Sequence, residues 1–166
     1  MKVSFIGLGT MGYPMAGHVS NAGHSVVVYN RSTHKAQHWC EEYQGTFAAT
    51  PALAAQEADI VLTCVGNDDD LRAVYLGPEG VFQQAKVGTL FIDHTTASAE
   101  VAKELHQAAQ ERGFAFMDAP VSGGQAGAVN GVLTVMIGGD VKAPNKAQTT
   151  LNNYAKATNL IGPDGT

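Results

Sequence analysis

The sequence predicts an α/β fold: a Rossmann-type, doubly wound, mostly parallel sheet. Three observations predict it. Short apolar runs suited to strands alternate along the chain with longer, helix-like segments. The run Val26-Val27-Val28 is apolar at every position, as in a strand covered on both faces. Between the first apolar run and the first helix lies Gly7-Leu8-Gly9-Thr10-Met11-Gly12. The 166 residues fit a single domain over 1–166. A domain of this size buries roughly 70% of the surface its unfolded chain exposes, enough for a core.

The elements follow in order. Lys2–Ile6 is β-branched and apolar, hence a strand, and a helix runs from about Met11 to Ala22 before Gly23-His24 ends it. Ser25–Tyr29 is the second strand, and a helix covers Thr33–Tyr43. A short strand at Thr46–Ala48 and a helix over Pro51–Gln56 precede the buried strand Ile60–Val65. Asn67-Asp68-Asp69-Asp70 reads as a capped helix start, its acidic charges suiting the helix dipole. Gly88–Asp93 is a strand and Ser98–Arg112 a helix. Ala115–Asp118, Leu133–Ile137 and Asn159–Ile161 are further strands, with helical pieces at Gly124–Asn130 and Ala143–Tyr154.

Composition removes several function classes. A formal charge of -5 argues against nucleic acid, which needs a basic surface. Two cysteines, Cys40 and Cys64, make neither a disulfide framework nor a metal cluster, and predict a reducing, cytoplasmic compartment. No apolar run approaches the roughly 18 residues of a membrane span. His34 and His38 stand i, i+4 on a helix without a third ligand motif, so no metal is expected.

The glycine motif sits where a dinucleotide fingerprint must: after a strand, opening a helix, before a second strand. Gly7 permits the tight turn, Gly9 lets backbone approach a pyrophosphate, and Gly12 lets the helix pack on the strand. The N–H groups opening that helix, with Leu8, Thr10 and Met11 in the turn, face the phosphates. An NAD-preferring site carries Asp or Glu at the end of the second strand, about 20 residues on. Here stand Asn30, Arg31, Ser32 and Thr33. A guanidinium flanked by hydroxyls suits a 2′-phosphate, which favours NADP(H) with NAD possible. Arg31 as an ordinary solvated residue would leave the site indifferent.

The run Phe5-Ile6-Gly7-Leu8-Gly9-Thr10-Met11-Gly12-Tyr13-Pro14-Met15-Ala16 resembles the opening of the β-hydroxyacid dehydrogenases. That family includes 3-hydroxyisobutyrate dehydrogenase, tartronate semialdehyde reductase and the glyoxylate/succinic semialdehyde reductases. Asp118-Ala119-Pro120-Val121-Ser122-Gly123-Gly124, with Gly127-Ala128 and Gly131, is similar to the family's substrate-binding segment. Ile92-Asp93-His94-Thr95-Thr96 is a third match. The resemblance implies hydride transfer between a nicotinamide and a small hydroxyacid or aldehyde acid. It places Thr96 by the nicotinamide and the Val65-Gly66-Asn67 loop along the adenosine and ribose. Ser122, Gly123 and Gly124 would hold the substrate carboxylate, a role their hydroxyl and N–H groups also suit chemically. His18 stands where the family commonly has asparagine.

The family's catalytic lysine follows a segment like G-P-x-G-x-G-x-x-x-K at the start of an interdomain helix. This sequence shows Gly162-Pro163-Asp164-Gly165-Thr166, so the resemblance puts the lysine beyond Thr166. The family's helical C-terminal domain is likewise absent from the 166 residues. No catalytic residue is therefore assigned, and the chain alone is expected to be inactive. Without that domain, an exposed surface and a homodimer are expected. Two alternatives stay open: a non-catalytic dinucleotide-binding module, and a domain like that of the imine reductases, which lack the Pro120–Gly124 type of segment.

Overall fold

The first strand, β1 (Lys2–Ile6), runs into the glycine turn and then into α1 (Gly12–Asn21). The structure, a computed structural model, describes residues 1–139 and 144–162. Lys142, the start of the expected helix at Ala143, and the motif residues Pro163–Thr166 lie outside the described residues. After α1 come β2 (Ser25–Tyr29), α2 (Thr33–Glu42), β3 (Thr46–Phe47), α3 (Pro51–Ala55), β4 (Ile60–Thr63) and α4 (Asp68–Leu76). A single 3-10 turn at Val81–Gln83 leads to β5 (Leu90–Asp93), α5 (Ala99–Glu111) and β6 (Ala115–Asp118). The remainder is β7 (Val121–Ser122), α6 (Gly124–Asn130), β8 (Leu133–Gly139), α7 (Pro144–Leu151) and β9 (Ala155–Gly162).

One mixed sheet holds all these strands, in the order β3-β2-β1-β4-β5-β6-β8-β7, with β9 also on β8. From β3 to β6 every pairing is parallel. The chain starts in the middle, winds outward through β2 and β3, then returns to β4 on the other side of β1. The strand order thus reverses between β1 and β4, which is where open α/β sheets hold ligands. Beyond β6 the sheet is mixed, β8 pairing antiparallel with both β6 and β7 and parallel with β9.

Two differences from the sequence reading stand out. Strand β7, two residues long, is too short to give a periodic signal, and Ser122 lies on it, paired with Thr134. Strand β9 starts at Ala155, four residues before the expected Asn159, because Ala155–Thr158 is not apolar and is recruited by parallel pairing with β8.

Burial on both faces explains the unbroken apolar strands. On β4, Ile60 and Leu62 enter one core, with Val3, Phe5, Val28, Met15 and Trp39, while Val61 enters the other. The second core is aromatic: Tyr75, Phe82, Phe91, Phe114 and Phe116 meet largely edge to face. Trp39 of α2 is fully buried, stacks at 5.3 Å on Tyr43, and donates its Nε1–H to the Tyr13 carbonyl of α1 at 3.3 Å. Thr50, Asn67 and Ser98 cap α3, α4 and α5 through their side chains. At the start of α1, Met11 supplies no such cap; the Tyr13 N–H is taken by the Gly9 carbonyl at 3.0 Å and Pro14 has none, which leaves the Gly12 N–H for another acceptor.

Candidate functional site

The carboxyl ends of β1, β2 and β4 enclose a cleft of about 620 Å3 whose wall includes Gly7 through Gly12. Each motif glycine is required for its own reason. Gly7 has φ +101°, and a Cβ there would run into the Cys64 carbonyl at the end of β4. A Cβ on Gly12 would strike the Gly7 carbonyl, so only hydrogen lets α1 close onto the turn. A Cβ on Gly9 would meet nothing within 4 Å. Gly9 is exposed and borders the cleft, so its missing side chain leaves room for something outside the protein. A pyrophosphate fits that room, the glycine-rich backbone and the uncapped helix start.

Asn30 holds the turn in shape. Its Oδ1 accepts the Leu8 N–H at 2.9 Å, and its Nδ2 donates to the Ser32 carbonyl at 3.2 Å. Arg31 also lines the cleft, its guanidinium largely exposed and 3.5 Å from the Asp70 carboxylate. Ser32 is the N-cap position of α2 and makes no capping bond, and Thr33 opens that helix; both are exposed and lie outside the cleft wall. Val65 and Gly66 are in the wall, whereas Asn67 is spent on capping α4, accepting the Asp70 N–H at 2.8 Å. The room at Gly66 is used by the protein itself, since a Cβ there would come 2.9 Å from Asp70 Oδ2.

A buried polar chain fixes the next loops. Tyr75 and Asp93 both bond to the Thr63 hydroxyl, at 3.0 and 2.7 Å. Asp93 Oδ1 accepts the Thr95 N–H, and the Thr95 hydroxyl accepts the Val65 N–H at 3.0 Å. The loop after β4, which lines the cleft, is thereby pinned to the loop after β5. Burial pushes the Asp93 carboxyl up to about 6, with the Thr63 and Thr95 hydrogen bonds pulling the other way. Thr95 is buried in this role, and Thr96 beside it is exposed. Burial and the Asp93 charge push the Cys64 thiol in the cleft wall up to about 12, so it is no nucleophile.

His94 is structural. It is fully buried, with Nδ1 at 2.6 Å from the Ala119 carbonyl and Nε2 at 2.6 Å from the Tyr154 hydroxyl. The carbonyl can only accept, so Nδ1 carries the proton and Nε2 accepts from the tyrosine. Desolvation pulls its pKa down to about 4.

Ser122, Gly123 and Gly124 are exposed after β6 and outside the wall of the main cleft. Gly9, Val65, Thr96 and Ser122 follow β1, β4, β5 and β6, which are consecutive neighbours in the sheet, so all four share its carboxyl edge. Gln125 of α6 joins Gly9 and Thr10 in a second cleft of about 420 Å3, bordered by His18 and Lys35. His18 Nε2 donates to the Ala128 and Val129 carbonyls at 3.0 and 2.9 Å, tying α1 to the end of α6. No sequence signal marks a contact across 110 residues.

The described lysines do not line the main cleft. Lys2 and Lys86 pair with Glu57 and Asp59 at the amino edge of the sheet, opposite the glycine turn. Among the described residues no group of His, Cys, Asp or Glu could hold a metal, and no helix is long and apolar enough to cross a membrane.

A family model described as the NAD binding domain of 6-phosphogluconate dehydrogenase matches residues 2–162. An uncharacterised oxidoreductase of Shewanella frigidimarina is 54% identical over 99% of this chain and 56% of its own length. The NAD-dependent L-serine dehydrogenase of Pseudomonas aeruginosa is 36% identical over 99% of this chain and 55% of its own. In structure, the Mycobacterium tuberculosis 3-hydroxyisobutyrate dehydrogenase with L-serine superimposes at TM-score 0.92, with 33% identity over 99% of this chain and 55% of that one. The chain spans about half the length of the curated relatives it matches. With the fold, the family model over residues 2–162 and the relatives in agreement, the chain belongs to the β-hydroxyacid dehydrogenase family, of which it carries the NAD-binding domain.

Proposed function

We propose that this chain is the NADP(H)-binding part of a dehydrogenase or semialdehyde reductase acting on a small hydroxyacid or its aldehyde acid. The observation that carries the cofactor choice is the end of β2, where Asn30 and Arg31 face the cleft and no carboxylate follows the strand. Asn30 is occupied in shaping the turn, so Arg31 is left to recognise the ribose substituent. The Pseudomonas relative is named NAD-dependent; in this chain Arg31 is the residue that favours the phosphate.

The roles of the residues follow. When bound, the nicotinamide cofactor supplies the hydride chemistry. The amides of Leu8 to Gly12 cradle the pyrophosphate, except that of Leu8, which Asn30 has taken. Val65, pinned by Thr95, and exposed Thr96 border the nicotinamide side. Ser122, Gly123 and Gly124 receive the substrate carboxylate, a group shared by hydroxyisobutyrate and L-serine, which the relatives' names carry. The general acid/base is not among these residues.

Titration calorimetry with NADPH and NADH tests the reading. The unmodified chain should prefer NADPH, and Arg31→Ala should weaken NADPH binding about tenfold. That is the low end for a charge-assisted hydrogen bond, because the guanidinium side chain is 88% exposed. Equal affinities in the unmodified chain would sink the assignment.

A further inference from the structure

We infer that Asp70 sets how strongly the cleft selects for a 2′-phosphate, by competing with that phosphate for Arg31. This rests on the NADP(H) reading above and adds to it a specificity residue from a different element. Arg31 follows β2 and Asp70 lies in the first turn of α4, after β4. Since β2 and β4 flank β1, their ion pair of 3.5 Å links the two lips of the cleft, and both residues line it.

The two partners differ in freedom. Asp70 is the fixed one: its N–H is held by Asn67 at 2.8 Å, and its side chain is 29% exposed. The absent side chain of Gly66 leaves the space its carboxylate occupies. Arg31 projects from the end of β2 and can turn to either acceptor. A carboxylate and a phosphate both seek the planar guanidinium fork, so they compete for it. NADPH must displace Asp70 to engage Arg31; NADH need not. The carboxylate that NAD-preferring sites place at the end of the second strand is here delivered from α4. It tempers the phosphate preference without abolishing it.

The test is a double-mutant cycle by titration calorimetry on the full chain, with NADPH and NADH and with fold checked by circular dichroism. Asp70→Asn keeps the backbone cap and removes the charge. It should tighten NADPH about 3- to 6-fold, the scale of an exposed ion pair, and leave NADH within about twofold. In the Arg31→Ala background the same change should shift NADPH by no more than about twofold. An NADPH gain that persists without Arg31 would overturn the competition, as would equal gains for both cofactors. A chain that prefers NADPH but shows no response to Asp70→Asn would overturn the inference and spare the cofactor reading. Binding of neither cofactor would overturn both.

Discussion

Asn30 and Leu8, 22 residues apart, are joined by a 2.9 Å hydrogen bond from the Leu8 amide to the Asn30 side-chain oxygen. The residue that follows β2 thus also supports the glycine turn that follows β1. Asn30→Ala should weaken NADPH and NADH alike, by roughly tenfold for one lost partly buried hydrogen bond. Asn30→Asp keeps the acceptor and adds a charge beside the 2′-position. It should cost NADPH far more than NADH. Calorimetry with both cofactors distinguishes the two effects, and a selective loss in the alanine variant would contradict the turn-holding role.

Substituting two of the motif glycines should give two different results. Gly9→Val should fold, because nothing stands within 4 Å of the new Cβ, and should lose dinucleotide binding. Gly12→Ala should instead lose stability by several kcal/mol, because its Cβ collides with the fixed Gly7 backbone. Urea unfolding and cofactor titration of both variants check this. Normal binding by folded Gly9→Val would refute the phosphate role.

Two buried groups should bend the pH dependence of stability in opposite directions. His94 titrates at about 4 when folded, below its ordinary 6.5, so its contribution is full above pH 6.5 and is lost as pH falls toward 4. Asp93 titrates at about 6, above its ordinary 3.8, so its contribution is full below 3.8 and is lost as pH rises through 6. Each amounts to about 3 kcal/mol across its window. Asp93→Asn, which keeps the Oδ1 acceptor, should gain on the unmodified chain between pH 4 and 6. The deficit of His94→Gln should be largest above pH 6.5 and shrink toward pH 4. Denaturant unfolding across that range reads both slopes.

The 166-residue chain should show negligible NADPH-dependent reduction of glyoxylate, succinic semialdehyde or tartronate semialdehyde. No described lysine lines the main cleft, and Lys2 and Lys86 are paired at the far edge of the sheet. A general acid contributes typically ~10²–10⁴-fold. Loss of absorbance at the NADPH band is the assay. Robust turnover would point to Lys35 or Ser122, since both nitrogens of His94 are engaged.

What could be read from the sequence was what depends on local pattern. The glycine spacing gave three distinct steric roles because each is a backbone property of its own position. The alternation of strands and helices along the chain, and with it the doubly wound sheet, followed from apolar runs buried on both faces. The polar architecture of the site was hidden because its partners are far apart in sequence. Arg31 meets Asp70 across 39 residues, and Thr63 meets Asp93 across 30. Asp70 read simply as a residue of an acidic helix start. Gly66 read as part of a loop along the dinucleotide, and nothing in its surroundings in sequence marked that a Cβ there would come 2.9 Å from that carboxylate. Strand β7 escaped notice because two residues have no periodicity.

Trp39 is the chain's single tryptophan, and it lies against the helix that opens at the glycine turn. That arrangement makes it an internal optical reporter. Its ring is sealed from water, so its emission should be blue-shifted when folded and move red on unfolding, giving one clean signal for one event. Reduced nicotinamide absorbs where tryptophan emits. Cofactor arriving at the neighbouring turn should therefore quench Trp39 by energy transfer, while the oxidised form, lacking that absorption band, should do so far less. The oxidation state of the bound dinucleotide can then be followed in the unlabelled protein, with no added dye.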